Sequence, residues 1–64
     1  MPIKIKNKGL LRYLGKEIFV EGIHGKVCKD DKDRVFIISE SNEIIYPQKD
    51  DRVFIQGRLY DYDK

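Results

Sequence analysis

The sequence predicts an all-β fold: a small five-stranded barrel with one short N-terminal helical turn, forming a single domain over residues 1–64. Three observations carry this prediction. The first is the kind of hydrophobe, since Val and Ile supply 13 residues and Leu only four, while Ala and Thr are absent. Branched and aromatic side chains suit a pleated, half-buried surface and lose rotamer freedom in a helix. The second is apolar–polar alternation in short runs separated by polar or glycine punctuation. The third is recurrence: Asp33-Arg34-Val35-Phe36-Ile37 returns as Asp51-Arg52-Val53-Phe54-Ile55, and Lys16–Gly22 resembles Asp51–Gly57. Rolling a sheet of such strands into a barrel buries apolar surface and hides the sheet edges.

Along the chain, Pro2 to Lys6 alternates apolar and basic residues and predicts a first short strand. Asn7-Lys8-Gly9 punctuates it, and Leu10, Leu11 and Leu14 fit one helical turn stopped by Gly15. A second strand is expected from Glu17 to Cys28. Its apolar parity changes after Gly22, from Ile18 and Val20 to Ile23 and Val27, which predicts a bulge or a sharp bend there. Lys29 to Asp33 is a polar turn. Arg34 to Ser39 is apolar on both parities and predicts a central strand. Ser41-Asn42 turns the chain, Glu43 to Tyr46 forms a short strand ended by Pro47, and Gln48 to Asp51 leads into a last strand from Arg52 to about Tyr62.

Composition removes several functional classes. One cysteine cannot form an internal disulfide, so a reducing, cytoplasmic setting is expected rather than a secreted cross-linked miniprotein. No apolar run nears the roughly 18 residues of a membrane span, and the first residues lack the apolar stretch of a signal peptide. The net charge is +2, unevenly spread: residues 1–16 carry five bases and no acid, so the rest of the chain carries −3. A basic entrance therefore leads into a mildly acidic body.

Leu14-Gly15-Lys16-Glu17-Ile18-Phe19-Val20-Glu21-Gly22-Ile23 resembles the first strand of OB-fold domains of the tRNA-anticodon and replication-protein type. Asp51-Arg52-Val53-Phe54-Ile55-Gln56-Gly57-Arg58-Leu59 is similar to the fourth strand of that family. The two segments cover about a third of the chain. The family's helix between strands three and four has no room in Pro47 to Asp51, and Ile3–Lys6 is expected to stand in for the fifth strand. A helical turn followed by Leu14-Gly15-Lys16-Glu17-Ile18 is also similar to SH3/Sm-like RNA-binding barrels, which lack that helix. Either resemblance implies a small nucleic-acid-associated barrel.

The candidate chemistry lies on the last strand. With Val53, Ile55, Gly57 and Leu59 turned inward, the opposite parity presents Arg52, Phe54, Gln56, Arg58, Tyr60 and Tyr62. Flat rings stack on bases and guanidinium groups meet phosphates, which is the combination that binds single strands. Arg52, Phe54, Arg58, Tyr60 and Tyr62 are thus the expected contact face, assisted by Lys4, Lys6 and Lys8 through phosphate attraction. Phe19 and Phe36 extend it, with His24, Lys26 and Arg34 as neighbours. The competing reading covers the rings with the leucine-bearing turn and treats the lysines as solubilising, edge-protecting charges.

Other constellations carry less. His24 and Cys28 are two soft ligands where a structural zinc site needs four, so no metal and no cofactor are expected. Asp30, Asp31 and Asp33 lack the glycine and distant glutamate of a calcium loop. Glu40 and Glu43 flank a turn without a cleft, and no nucleophile–base pair stands out, so no enzymatic activity is expected. The sequence points to a non-catalytic module binding single-stranded nucleic acid, RNA ahead of DNA. The alternative is a protein-interaction module, an accessory subunit or inhibitor docking through an exposed strand, since Tyr and Arg also favour protein interfaces. A homo-oligomer like the Sm rings is a third arrangement.

Overall fold

The computed structural model describes residues 3–64. Seven strands form one sheet: β1 (Ile3–Ile5), β2 (Glu17–Val20), β3 (Ile23–Lys29), β4 (Val35–Ser39), β5 (Ile44–Ile45), β6 (Arg52–Ile55) and β7 (Arg58–Tyr62). One short helix, α1 (Asn7–Leu11), follows β1. The order across the sheet is β1-β7-β6-β2-β3-β4-β5. β1 runs parallel to β7, and every other pair is antiparallel. The all-β expectation holds, but the five-stranded barrel does not: β1 and β5 are free edges and the sheet stays open. The Pro2 start expected for the first strand lies outside the described residues.

Two extra strands come from the two glycine turns. Glu21-Gly22 have φ of 49° and 79°, and Gln56-Gly57 have 48° and 84°. Positive φ at both central residues is the tight two-residue turn that matches the twist of a hairpin. The parity change at Gly22 is therefore a hairpin and not a bulge, with Val20 opposite Ile23. The same turn cuts the expected strand 52–62 in two, with Ile55 opposite Arg58. Leu14 falls outside the helix and is exposed.

All inward residues join one core. Ile18 and Val20 of β2, Val27 of β3, Val35 and Ile37 of β4, Val53 and Ile55 of β6, and Ile5 of β1 are buried together with Leu10 of the helix and Tyr62 of β7. Alternation is strict in β4, where Val35, Ile37 and Ser39 point inward while Phe36 and Ile38 are half-buried on the other face. At β3 the sheet pinches. A Cβ on Gly25 would lie 2.8 Å from the Ile38 carbonyl oxygen and 3.0 Å from the Ile37 side chain. Only glycine fits that approach.

Closure fails for local reasons. β5 is two residues long and Pro47 follows almost at once, removing a main-chain donor where a further ladder would form. The gap is spanned by α1 instead. The Asn7 side chain donates from Nδ2 to the Asp33 carbonyl at 2.7 Å and accepts the Val35 N–H at Oδ1 at 2.8 Å. At the other edge the Asp63 N–H donates to the Ile5 carbonyl at 2.8 Å, extending the β1–β7 ladder.

Candidate functional site

The open seam is a cleft of about 690 Å³. One wall is Lys6, Asn7 and Lys8 with Tyr62, Asp63 and Lys64; the other is Lys32 to Val35 with Tyr46, Pro47 and Gln48. The floor is apolar: Val35, Pro47 and Tyr62 are buried, and the Tyr46 ring stands beside them 41% exposed. The rim carries five bases (Lys6, Lys8, Lys32, Arg34 and Lys64) against Asp33 and Asp63. Among the described residues Lys8, Lys32 and Lys64 pair with no carboxylate, and Lys6 reaches Asp63 only at 3.9 Å.

Local chemistry fixes this rim. Asp30 Oδ1 accepts the N–H groups of Lys32 and Arg34, each at 2.9 Å, so the turn carrying both bases is built around one carboxylate. Asp30 Oδ2 receives the Tyr46 hydroxyl at 3.3 Å and faces Arg34 Nε at 3.4 Å. Bonding to the Arg34 N–H, helped by Lys32 and Tyr46, holds the Asp30 carboxyl below the usual aspartate range. Burial, then the Asp30 charge, pushes the Tyr46 phenol up, and burial alone does so for Tyr62. The Tyr46 ring leans on Phe36 with centroids 5.3 Å apart.

The outer face of the sheet is a second surface. Cross-strand register sets Leu59, Phe54, Phe19 and His24 in one row across β7, β6, β2 and β3. Phe19 and Phe54 meet edge to face at 6.2 Å, and His24 lies against Phe19 at 4.9 Å. His24 is bracketed by carboxylates, with Nδ1 donating to Glu40 at 2.7 Å and Nε2 3.5 Å from Glu17. Signs alternate around the row: Glu17 is opposite Lys26, Arg52 opposite Asp61, and Asp61 opposite Lys4. Glu21 joins them, its Oε2 accepting the Arg52 N–H at 2.6 Å.

The expected contact residues therefore divide. Arg52, Phe54 and Lys4 share the outer face, where Phe19, His24 and Lys26 indeed join them. Tyr62 is in the core at 6% exposure, and its neighbour Tyr60 is half-buried and packed against the same core; neither shows its ring with Phe54. The intervening hairpin is the reason, because it returns the chain on the far side of Gly57 with reset parity. Arg58 is exposed beside the turn, opposite inward Ile55. Lys6 and Lys8 border the cleft together with Tyr62. Sequence reasoning missed Tyr46, Lys32 and Lys64 as companions of Lys6 and Lys8. The available signal was Asp30 followed by Lys32 and Arg34, the spacing at which an aspartate caps its own turn.

Among the described residues no group of His, Cys, Asp and Glu is arranged to hold a metal ion. No described helix is long and apolar enough to cross a membrane. No protein-family model, no curated protein and no solved structure matches the chain.

Proposed function

We propose that the chain is a non-catalytic module that binds single-stranded nucleic acid, RNA ahead of DNA, in the seam cleft. The observation that carries this reading is the concentration of five bases against two acids around an apolar floor with a half-exposed tyrosine. Phosphates meet Lys8, Lys32 and Lys64, which have no competing carboxylate, while Tyr46 offers a ring to a base. Lys6 and Lys8 remain in the contact set from the sequence reading, Tyr62 passes from it to the buried floor, and Tyr46, Lys32, Arg34 and Lys64 are added.

Fluorescence anisotropy with labelled oligo-U and oligo-dT, titrated across salt, tests the proposal. The expected result is binding whose logarithm falls linearly with log salt, with a slope of roughly −0.7 per phosphate contacted. No binding of either strand at low salt overturns it. The rival reading, a protein-docking module, draws on a different observation: the apolar row of the outer face, ringed by both signs of charge.

A further inference from the structure

We propose that a second copy of this chain docks on the outer face of the sheet, making a symmetric dimer about a two-fold axis that runs along the strands between β6 and β2. The inference stands apart from the nucleic-acid reading, which uses the cleft.

Leu59, Phe54 and Phe19 are 45%, 43% and 41% exposed, side by side on three neighbouring strands. Large apolar side chains clustered on one face, with no element of the chain over them, mark an interaction surface. The two rings already rest against each other, so docking them freezes little further motion. Charge decides between occupants. The face carries Glu17, Glu21, Glu40 and Asp61 against Lys4, Lys26 and Arg52, a near balance with one acid in excess that offers a polynucleotide no net attraction.

The same charges complement themselves. Glu21, in the turn that follows β2, lies beside Arg52 of β6, as Phe19 of β2 lies beside Phe54. A two-fold axis along the strands between β2 and β6 exchanges the positions on those strands. It sets Phe19 over Phe54 of the second copy, Leu59 over His24, and Arg52 over Glu21, each pair occurring twice. Glu17 then faces Gln56 and not another acid. A two-fold axis along the rows instead stacks Glu21 on Glu17, so charge selects the first arrangement. In it the strands of the two sheets run nearly aligned, as face-to-face sheets do.

Sedimentation equilibrium of the full chain across micromolar to millimolar concentration tests the proposal. The expected mass rises toward twice the 7.6 kDa of one chain. Arg52→Glu and Glu21→Arg each weaken the dimer at least tenfold, and combining them restores it, because the exchanged pair is again opposite in sign. NMR on mixed labelled and unlabelled protein is expected to show contacts between Phe19 and Phe54 of different copies. A monomer at millimolar concentration overturns the proposal. So does a dimer that ignores Arg52→Glu, or a double variant no tighter than either single one. The NMR contact decides the matter independently should a charge variant fold poorly.

Discussion

The seam cleft is built from turns and strand ends around β1, β4, β5 and β7, the outer face from β6, β2 and β3 with β7, and the two differ in how charge is arranged. Around the cleft, bases gather on one rim, and the acid that organises them, Asp30, faces inward to its own turn through main-chain hydrogen bonds. On the outer face Lys4 and Arg52 stand in register with Asp61, and Lys26 with Glu17, none of them within ion-pair distance among the described residues. Cross-strand pairing of opposite charges stabilises a sheet by roughly 0.2–1 kcal/mol per pair. The cleft forgoes that gain, leaving Lys8, Lys32 and Lys64 unneutralised. An external polyanion has most to gain at the cleft.

The sharpest way to break this contrast is to reverse the cleft charges. Lys8→Glu with Lys32→Glu is expected to lower oligo-U affinity roughly 25-fold at 0.1 M salt, from two phosphate contacts at a slope of about 0.7 each. Phe19→Ala should leave that affinity within about twofold. Anisotropy titrations of both variants settle which surface meets nucleic acid; equal losses would dissolve the distinction.

A smaller effect separates shape from charge. Asn7→Ala removes both bonds between α1 and the β4 entry, leaving the Val35 N–H in a partly buried place without its acceptor. The expected destabilisation is about 1–3 kcal/mol, measured by urea unfolding. Nucleic-acid affinity should fall as well, since the two walls lose their tie, while dimer formation on the outer face should not.

The least effect is expected from Asp30. Its folded-state pKa lies below the ordinary value of about 3.9, so its contribution is complete above that pH and is lost as pH falls through the folded value. Thermal melts from pH 2 to 6 should show Asp30→Asn losing less stability on acidification than the parent protein. A steeper acid loss in the variant would remove Asp30 from its organising role.

Much of the fold was legible because burial in strands follows a period of two. Ile18, Val20, Val27, Val35, Ile37, Val53 and Ile55 are buried as their alternation requires. What misled was Gly22 and Gly57. A glycine that shifts the parity of an apolar run serves a bulge or a two-residue hairpin equally well, and only the partner strands decide between them. At Gly57 the apolar parity does not shift, since Leu59 keeps that of Val53 and Ile55, so the hairpin there left no mark in the pattern, and it sets Tyr60 and Tyr62 on the inner face. The cleft was illegible for a different reason: Lys8, Lys32, Tyr46 and Lys64 are far apart in the chain, and the Asn7 bridge that gathers them looks like ordinary punctuation between a strand and a helix.

The parallel pairing of β1 with β7 has a mechanical consequence. Ile3 lies beside Tyr60 and Ile5 beside Tyr62, so the leading and trailing ends of the chain leave this pair at opposite ends. Tension applied through the two termini therefore loads all of the bonds between β1 and β7 in shear at once, and they cannot be opened singly as a zipper would be. The three-residue border strand acts as a clasp, letting the protein resist stretching better than its small core alone suggests.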